Sequence, residues 1–261
     1  MELGIRGKYA LVTGGSHGIG LAIASALAEE GCNVAICARN QERLSQAEKD
    51  LKAKGVETIG ISADVLCEPD IKEVMDIVTD LWSTIHILVN NVGGGGRWGS
   101  PSVEETAEKV WMDVYNKNAM AAVRFTRLAI PFMRKQKWGR VVTVASIYGR
   151  EGGGRPWFNM AKSAEISLMK TLAMNHDLVR DGITFNSVAP GTNIMIPGTG
   201  WEDEAKKNPE QFKRMLDSNF PLGRLGTPEE VASMVIFLCS EKASLVNGAC
   251  IAVDGGESRS F

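Results

Sequence analysis

Short β-branched runs alternate with stretches of helical length along the whole chain of 261 residues, and this alternation restricts the fold more than any other feature. Tyr9 to Thr13, Asn33 to Cys37, Thr58 to Ser62, Ile85 to Val89, Arg140 to Val144, Ile183 to Val188 and Ala249 to Val253 predict strands. Most are nearly continuous in apolar residues, the pattern of parallel strands covered on both faces. Between them the pattern predicts helices over about 18–30, 41–54, 69–82, 103–136, 157–180 and 228–240. Strict alternation means βαβ units with right-handed crossovers. The expected architecture is therefore α/β: a Rossmann-type doubly wound parallel sheet of seven strands with helices on both faces.

No Pro/Ser-rich linker, repeat or low-complexity tract interrupts the series, which reads as one domain over 1–261. The irregular part is 191–226, where Pro197, Gly198, Gly200 and Pro221 bracket the charged stretch Trp201 to Asn208. An insertion near the C-terminal edge of such a sheet is placed to act as a lid over a ligand site. A surface excursion with one short helix is the plainer alternative.

Composition narrows the class further. A net charge of -2 gives no general pull toward nucleic acid or anionic membranes. No apolar run reaches the roughly 18 residues of a transmembrane helix, and the segment before the first strand has no apolar signal-peptide core. The five cysteines are scattered without metal-ligand spacing, and the three histidines are too dispersed for a metal cluster. The expectation is a cytoplasmic, metal-free protein with reduced thiols and a small-molecule substrate.

The first strand runs into Thr13-Gly14-Gly15-Ser16-His17-Gly18-Ile19-Gly20 and then into a helix rich in Ala, Leu and Ile. A dinucleotide pyrophosphate needs close backbone approach and unpaired N–H groups at a helix N-terminus. Glycine permits that approach. The position of this turn, after a strand and before a helix, marks Gly14, Ser16, His17, Gly18, Ile19 and Gly20 as nucleotide-binding candidates.

From end to end the chain resembles the short-chain dehydrogenase/reductase family. Thr13 to Gly20 resembles its glycine-rich turn, Asp64-Val65 its adenine-contacting pair, and Asn90-Asn91-Val92-Gly93 its Asn-Asn-Ala-Gly signature with Val for Ala. Pro190-Gly191, followed by Thr192, resembles the motif beside the nicotinamide. The resemblance implies an NAD(P)(H)-dependent oxidoreductase acting on a secondary alcohol or ketone, with Asn118, Ser146 and Lys162 at catalytic positions. It also implies a homotetramer or homodimer built through the helices about 103–136 and 157–180. Cofactor choice turns on the end of the second strand, where a carboxylate would bond the ribose 2′-OH and repel a 2′-phosphate. That end reads Ala38-Arg39-Asn40, and the Arg39 fork suits the phosphate. NADP(H) is favoured and NAD(H) stays open.

One departure stands at the centre of the resemblance. The family places a tyrosine four residues before the lysine, on the same helix face, where the ammonium lowers the phenol pKa for proton transfer. Here the segment is Trp157-Phe158-Asn159-Met160-Ala161-Lys162, so the lysine is kept and the hydroxyl is gone. Three readings stand open. Phe158 is an engineered Tyr→Phe exchange that preserves packing; the chain is a natural non-catalytic relative that binds nucleotide as a sensor or scaffold; or Tyr148 supplies the phenol. The first agrees best with the retention of Asn118, Ser146 and Lys162, and it implies binding with very slow turnover.

Arg97, Arg150 and Arg155 lie on segments expected at the mouth of the site, with Trp98 and Trp157 as candidate walls. Arginine forks suit carboxylate or phosphate. The expected substrate is small, polar and anionic, such as a sugar phosphate or a hydroxy or keto acid. A bulky apolar or carrier-linked ketone is the alternative.

Overall fold

The computed structural model describes residues 2–261 except Pro197 and Thr199. β1 (Tyr9–Thr13), β2 (Asn33–Ala38), β3 (Thr58–Ser62), β4 (Ile87–Asn90), β5 (Gly139–Val144), β6 (Ile183–Pro190) and β7 (Cys250–Val253) form one parallel sheet in the order β3-β2-β1-β4-β5-β6-β7. The expected seven-stranded doubly wound sheet is what forms, with strand ends displaced by a residue or two. The strand order reverses between β1 and β4, and a crevice opens there at the C-terminal ends.

The helices are α1 (Gly18–Glu29), α2 (Gln41–Lys52), α3 (Glu68–Trp82), α4 (Glu108–Tyr115), α5 (Ala121–Lys135), α6 (Pro156–Ala173), α7 (His176–Arg180), α8 (Trp201–Lys207), α9 (Pro209–Asn219) and α10 (Pro228–Cys239). Alternate strand residues divide between two core layers. Ala10, Val12, Val34, Ile36 and Val142 pack with α1, α2 and α10. Leu11, Ala35, Leu88 and Val141 pack with α3, α5 and α6 on the opposite face. Each fully buried Val, Leu or Ile contributes about 1.5–3 kcal/mol. That is why both faces of the strands must be apolar.

Two expected helices are interrupted. The stretch 103–136 begins only at Glu108, because Thr106 ties back the preceding loop through Ser100 and Ser102. It then passes through a π-helical turn, Asn116–Met120. The stretch 157–180 breaks after Ala173, where the Asn175 side chain accepts from the N–H groups of Asp177 and Leu178 and caps α7. Among the described residues of 191–226 the chain forms two helices, α8 and α9, rather than one. No described helix is long and apolar enough to cross a membrane.

Candidate active site

Thr13 and Asn91 lock the ends of β1 and β4 on either side of the crevice. Thr13 Oγ1 accepts from the N–H groups of Asn91 and Val92, each at 3.0 Å. Asn91 Nδ2 returns a bond to the Thr13 carbonyl at 2.9 Å. The glycine turn then folds tightly against α1: a Cβ on Gly20 would lie 2.2 Å from the Gly14 carbonyl oxygen. Only glycine allows the helix to begin so close to the turn. His17 occupies the N-cap in extended backbone, and its side chain makes no capping bond.

A groove of about 500 Å³ follows from this arrangement. Gly14, Ser16, His17, Gly18, Ile19 and Gly20 floor it, Arg39, Asp64 and Val65 stand at one end, and Asn91, Gly93, Pro190 and Gly191 flank the other. Arg39 Nη1 lies 3.8 Å from Asp64 Oδ2, with both side chains well exposed, so the pair is weak and the guanidinium is open to a ligand. A helix N-terminus at mid-groove, close-packed glycines and a cation at one end fit a nicotinamide dinucleotide.

Of the four positions implied for catalysis, Ser146, Phe158 and Lys162 line the groove, while Asn118 lies buried against Gly94 and does not line it. Ser146 follows β5 in extended backbone, and its Oγ accepts from the Tyr148 N–H at 3.2 Å. Asn118 sits in the π-helical turn with no exposed surface. Its Nδ2 donates to the Val114 carbonyl at 2.7 Å. π-Helical turns of this kind often mark functional sites, because the extra residue redirects a side chain. Gly93 lies directly on Asn118 and Lys162: a Cβ there would meet Asn118 Oδ1 at 2.6 Å and Lys162 Nζ at 2.9 Å.

Lys162 and Phe158 project from adjacent turns of α6, with Nζ 5.8 Å from the ring centroid. The ammonium donates to the Val144 carbonyl at 3.0 Å and to Glu165 Oε2 at 2.9 Å. Burial pushes the Glu165 carboxyl up to about 7, with Lys162 opposing the rise. Phe158 also walls a second hollow of about 360 Å³ with Gly96, Arg97, Tyr148 and Arg155. Among the described residues it is the one that groove and hollow share.

A family model described as enoyl-(acyl carrier protein) reductase matches residues 14–258. The chain belongs to the short-chain dehydrogenase/reductase family. It is 34% identical to the 3-oxoacyl-(acyl-carrier-protein) reductase of Aquifex aeolicus, over 98% of this chain and 99% of that protein. L-sorbose reductase from Gluconobacter frateurii, solved with NADPH and L-sorbose, superposes with a TM-score of 0.90 at 34% identity and full coverage of both chains. The actinorhodin polyketide ketoreductase, solved with NADPH, gives 0.87 at 33% identity, covering 97% of this chain and 98% of that one.

Several positions expected from the sequence lie elsewhere in this short-chain dehydrogenase/reductase. Trp157 is no pocket wall: it is fully buried against Trp111, with its Nε1 donating to the Gly95 carbonyl at 3.3 Å. Thr192 does not line the groove; its N–H, at 2.8 Å, and its hydroxyl both donate to the Glu257 carboxylate. Arg150 stands outside the hollow and donates to the backbone oxygen of Phe261. Arg97 and Arg155 do line the hollow, and Arg155 also donates to the Ser100 carbonyl at 2.6 Å. Trp98 is half exposed beneath Lys117, whose Nζ lies 4.8 Å from its ring.

The Tyr148 phenol lines the hollow and not the groove. Burial raises its pKa, with Glu257 and Glu151 adding to the rise, the opposite of what a proton donor near neutrality requires. Lys117, Arg43 and Ile196 line the groove without having been foreseen. Lys117 had one available signal, its place between Asn116 and Asn118. Its pKa is lowered by burial first, then by the charges of Arg39 and Lys162.

Proposed function

We propose that this chain binds NADP(H) in the groove and holds a small polar ketone or secondary alcohol in the hollow beside Phe158, with very slow turnover. The carrying observation is that Phe158 forms the wall common to both spaces. Bound there, the nicotinamide supplies or accepts the hydride. Ser146 orients the substrate oxygen, Asn118 holds the Gly94 backbone, and Lys162, which donates to the Val144 carbonyl and to Glu165, lines the groove beside Phe158. Phe158 gives the wall its shape and cannot move a proton. The retained Asn118, Ser146 and Lys162 support reading the chain as a disarmed form of an active reductase.

NADP(H) is supported by Arg39 at the adenosine end, by the missing carboxylate on β2, and by the NADPH bound in two of the similar structures. The NADH complex of a 7α-hydroxysteroid dehydrogenase, 27% identical to this chain, keeps NAD(H) in view. An anionic group on the substrate is the finer reading, and it rests on Arg97 and Arg155 alone. We read residues 191–226 as a substrate lid: Gly191 and Ile196 reach the groove, and Pro197 and Thr199 lie outside the described residues. Assembly as a homotetramer or homodimer is supported by exposed Met112 and Met160 on α4 and α6, and sedimentation tests it.

The substrate reading is tested in a Phe158→Tyr background by changing Arg97 and Arg155 singly to Ala. A raised KM for a carboxylate- or phosphate-bearing ketone, with no change for a neutral one, is expected. Unchanged KM for both variants refutes the anionic refinement and leaves the neutral ketone.

A further inference from the structure

We propose that Glu165 is a charge-setting residue of the site: its carboxylate neutralises the Lys162 ammonium, so that a phenol restored at position 158 stays protonated to high pH until Glu165 is also replaced. The inference deepens the proposed function and rests on its placement of the catalytic end.

Lys162 Nζ and Glu165 Oε2 are 2.9 Å apart, and their side chains are only 4% and 1% exposed. They lie three residues apart on α6, so one helix face holds both. At such depth a lone carboxylate would not remain ionised; the ammonium opposes the effect of burial, and above about pH 7 the carboxylate is charged beside it. The reverse consequence bears on Phe158. An uncompensated cation within about 4–6 Å of an acid lowers its pKa by about 1–3 units. The Phe158 ring centroid stands 5.8 Å from Nζ, in reach of that effect. With a carboxylate bonded to the ammonium, the pair presents a small dipole where a lone cation would stand, and most of the effect is cancelled.

Arg97 and Arg155 line the hollow that Phe158 walls, and their charges are the same with Glu165 in place or replaced, so the difference between the two proteins reports Glu165. Lys117, on the π-helical turn, is the neighbouring cation, and it is itself pushed toward neutrality by burial and by its fellow cations. β6 carries no ionisable side chain, and on β5 Arg140 is turned to the Gly139, Gly182 and Ser240 carbonyls at the other end of the strand. On α4, Lys109 and Asp113 pair with each other. Tyr148, on the turn after β5, is raised and faces the hollow. His176, Asp177 and Arg180 belong to α7, beyond the far end of α6.

Glu165 and Phe158 are thus consistent with each other. With no phenol at 158, the site has no use for a free ammonium charge, and a buried carboxylate beside it costs the chemistry nothing further. Restoring the hydroxyl alone leaves the carboxylate in place.

The test is an ultraviolet difference titration of tyrosinate in Phe158→Tyr and in Phe158→Tyr/Glu165→Gln, each corrected by the parent chain with its three tyrosines. The single variant should titrate near the ordinary phenol value of about 10. The double variant should titrate lower by about 1–3 pH units, and the pH profile of turnover should move with it. A phenol already depressed in the single variant, or unmoved in the double variant, overturns the proposal. Should the double variant fail to fold, the single titration decides alone. Absence of turnover at every pH, with the phenol titrating as expected, counts against the proposed function and not against the role of Glu165.

Discussion

Asn118 grips the backbone of Gly94 from both sides: its Oδ1 accepts from the Gly94 N–H at 3.0 Å, and its Nδ2 donates to the Gly94 carbonyl at 2.8 Å. The side chain therefore fixes the glycine segment that lies under Lys162 and Phe158. Asn118→Ala strands buried partners and should cost about 1–3 kcal/mol. At about 2–4 °C per kcal/mol for a chain of this size, calorimetry should record a clear fall in Tm. An unchanged Tm would show that the grip is dispensable.

Glu257 has a comparable hold on the opposite wall. Its carboxylate accepts from the N–H groups of Thr192 and Asn193 at 2.8 and 3.3 Å, next to Gly191 in the groove. The tail that carries it is pinned by Glu151, which accepts from the Arg259 and Ser260 N–H groups. Charge-assisted bonds of this kind contribute about 1.5–3 kcal/mol each. Glu257→Ala should therefore weaken NADPH binding roughly 10-fold, with partial recovery in Glu257→Gln. Fluorescence titration measures it, and equal affinities in all three proteins would refute the coupling.

Arg39 separates the two cofactors. Removing its fork from a 2′-phosphate should cost about 1.5–3 kcal/mol, so Arg39→Ala should lose roughly 10- to 100-fold in NADPH affinity while NADH affinity holds. Parallel losses for both cofactors would assign Arg39 a structural role.

His86 makes stability depend on pH. The Tyr9 N–H donates to its Nδ1 at 3.2 Å, and burial, aided by the Lys8 charge, lowers its pKa from 6.5 to about 4. Between those values the unfolded chain binds a proton that the folded chain refuses. The stabilisation is thus complete above about pH 6.5 and is lost progressively as pH falls to about 4. His86→Asn keeps an acceptor for Tyr9 and should flatten this part of the Tm-against-pH curve. The same slope in the variant would place its origin elsewhere.

The sheet was legible because strands buried on both faces must be written as apolar runs, and the glycine turn because only glycine tolerates the contact at Gly20. Breaks within helices were not. The π-helical turn keeps helical backbone, so Asn116 to Met120 reads like any helix interior, and Asn175 caps α7 through a side chain common in many settings. An aromatic at a helix start has no visible partner in the sequence; Trp111 and Gly95, which bury Trp157, come from distant segments. The link from Glu257 to Thr192 spans 65 residues and leaves no local pattern. Glu165 was within reach, three residues after Lys162 on one face, yet an i,i+3 pair on a helix is ordinarily a surface feature. Its burial belongs to the packing of α6 against the sheet.

The proposed slow turnover rests on Phe158. The decisive measurement is NADPH consumption by the Phe158→Tyr variant with a panel of small polar ketones, across pH and at saturating cofactor, against the chain itself. A restored phenol should raise the rate by about 10²–10⁴-fold, and the gain should persist into the alkaline range while Glu165 is present, because the phenol that gives its proton to the ketone oxygen stays protonated there. A variant that binds NADPH as tightly as its parent, yet reduces no ketone faster at any pH, would contradict it.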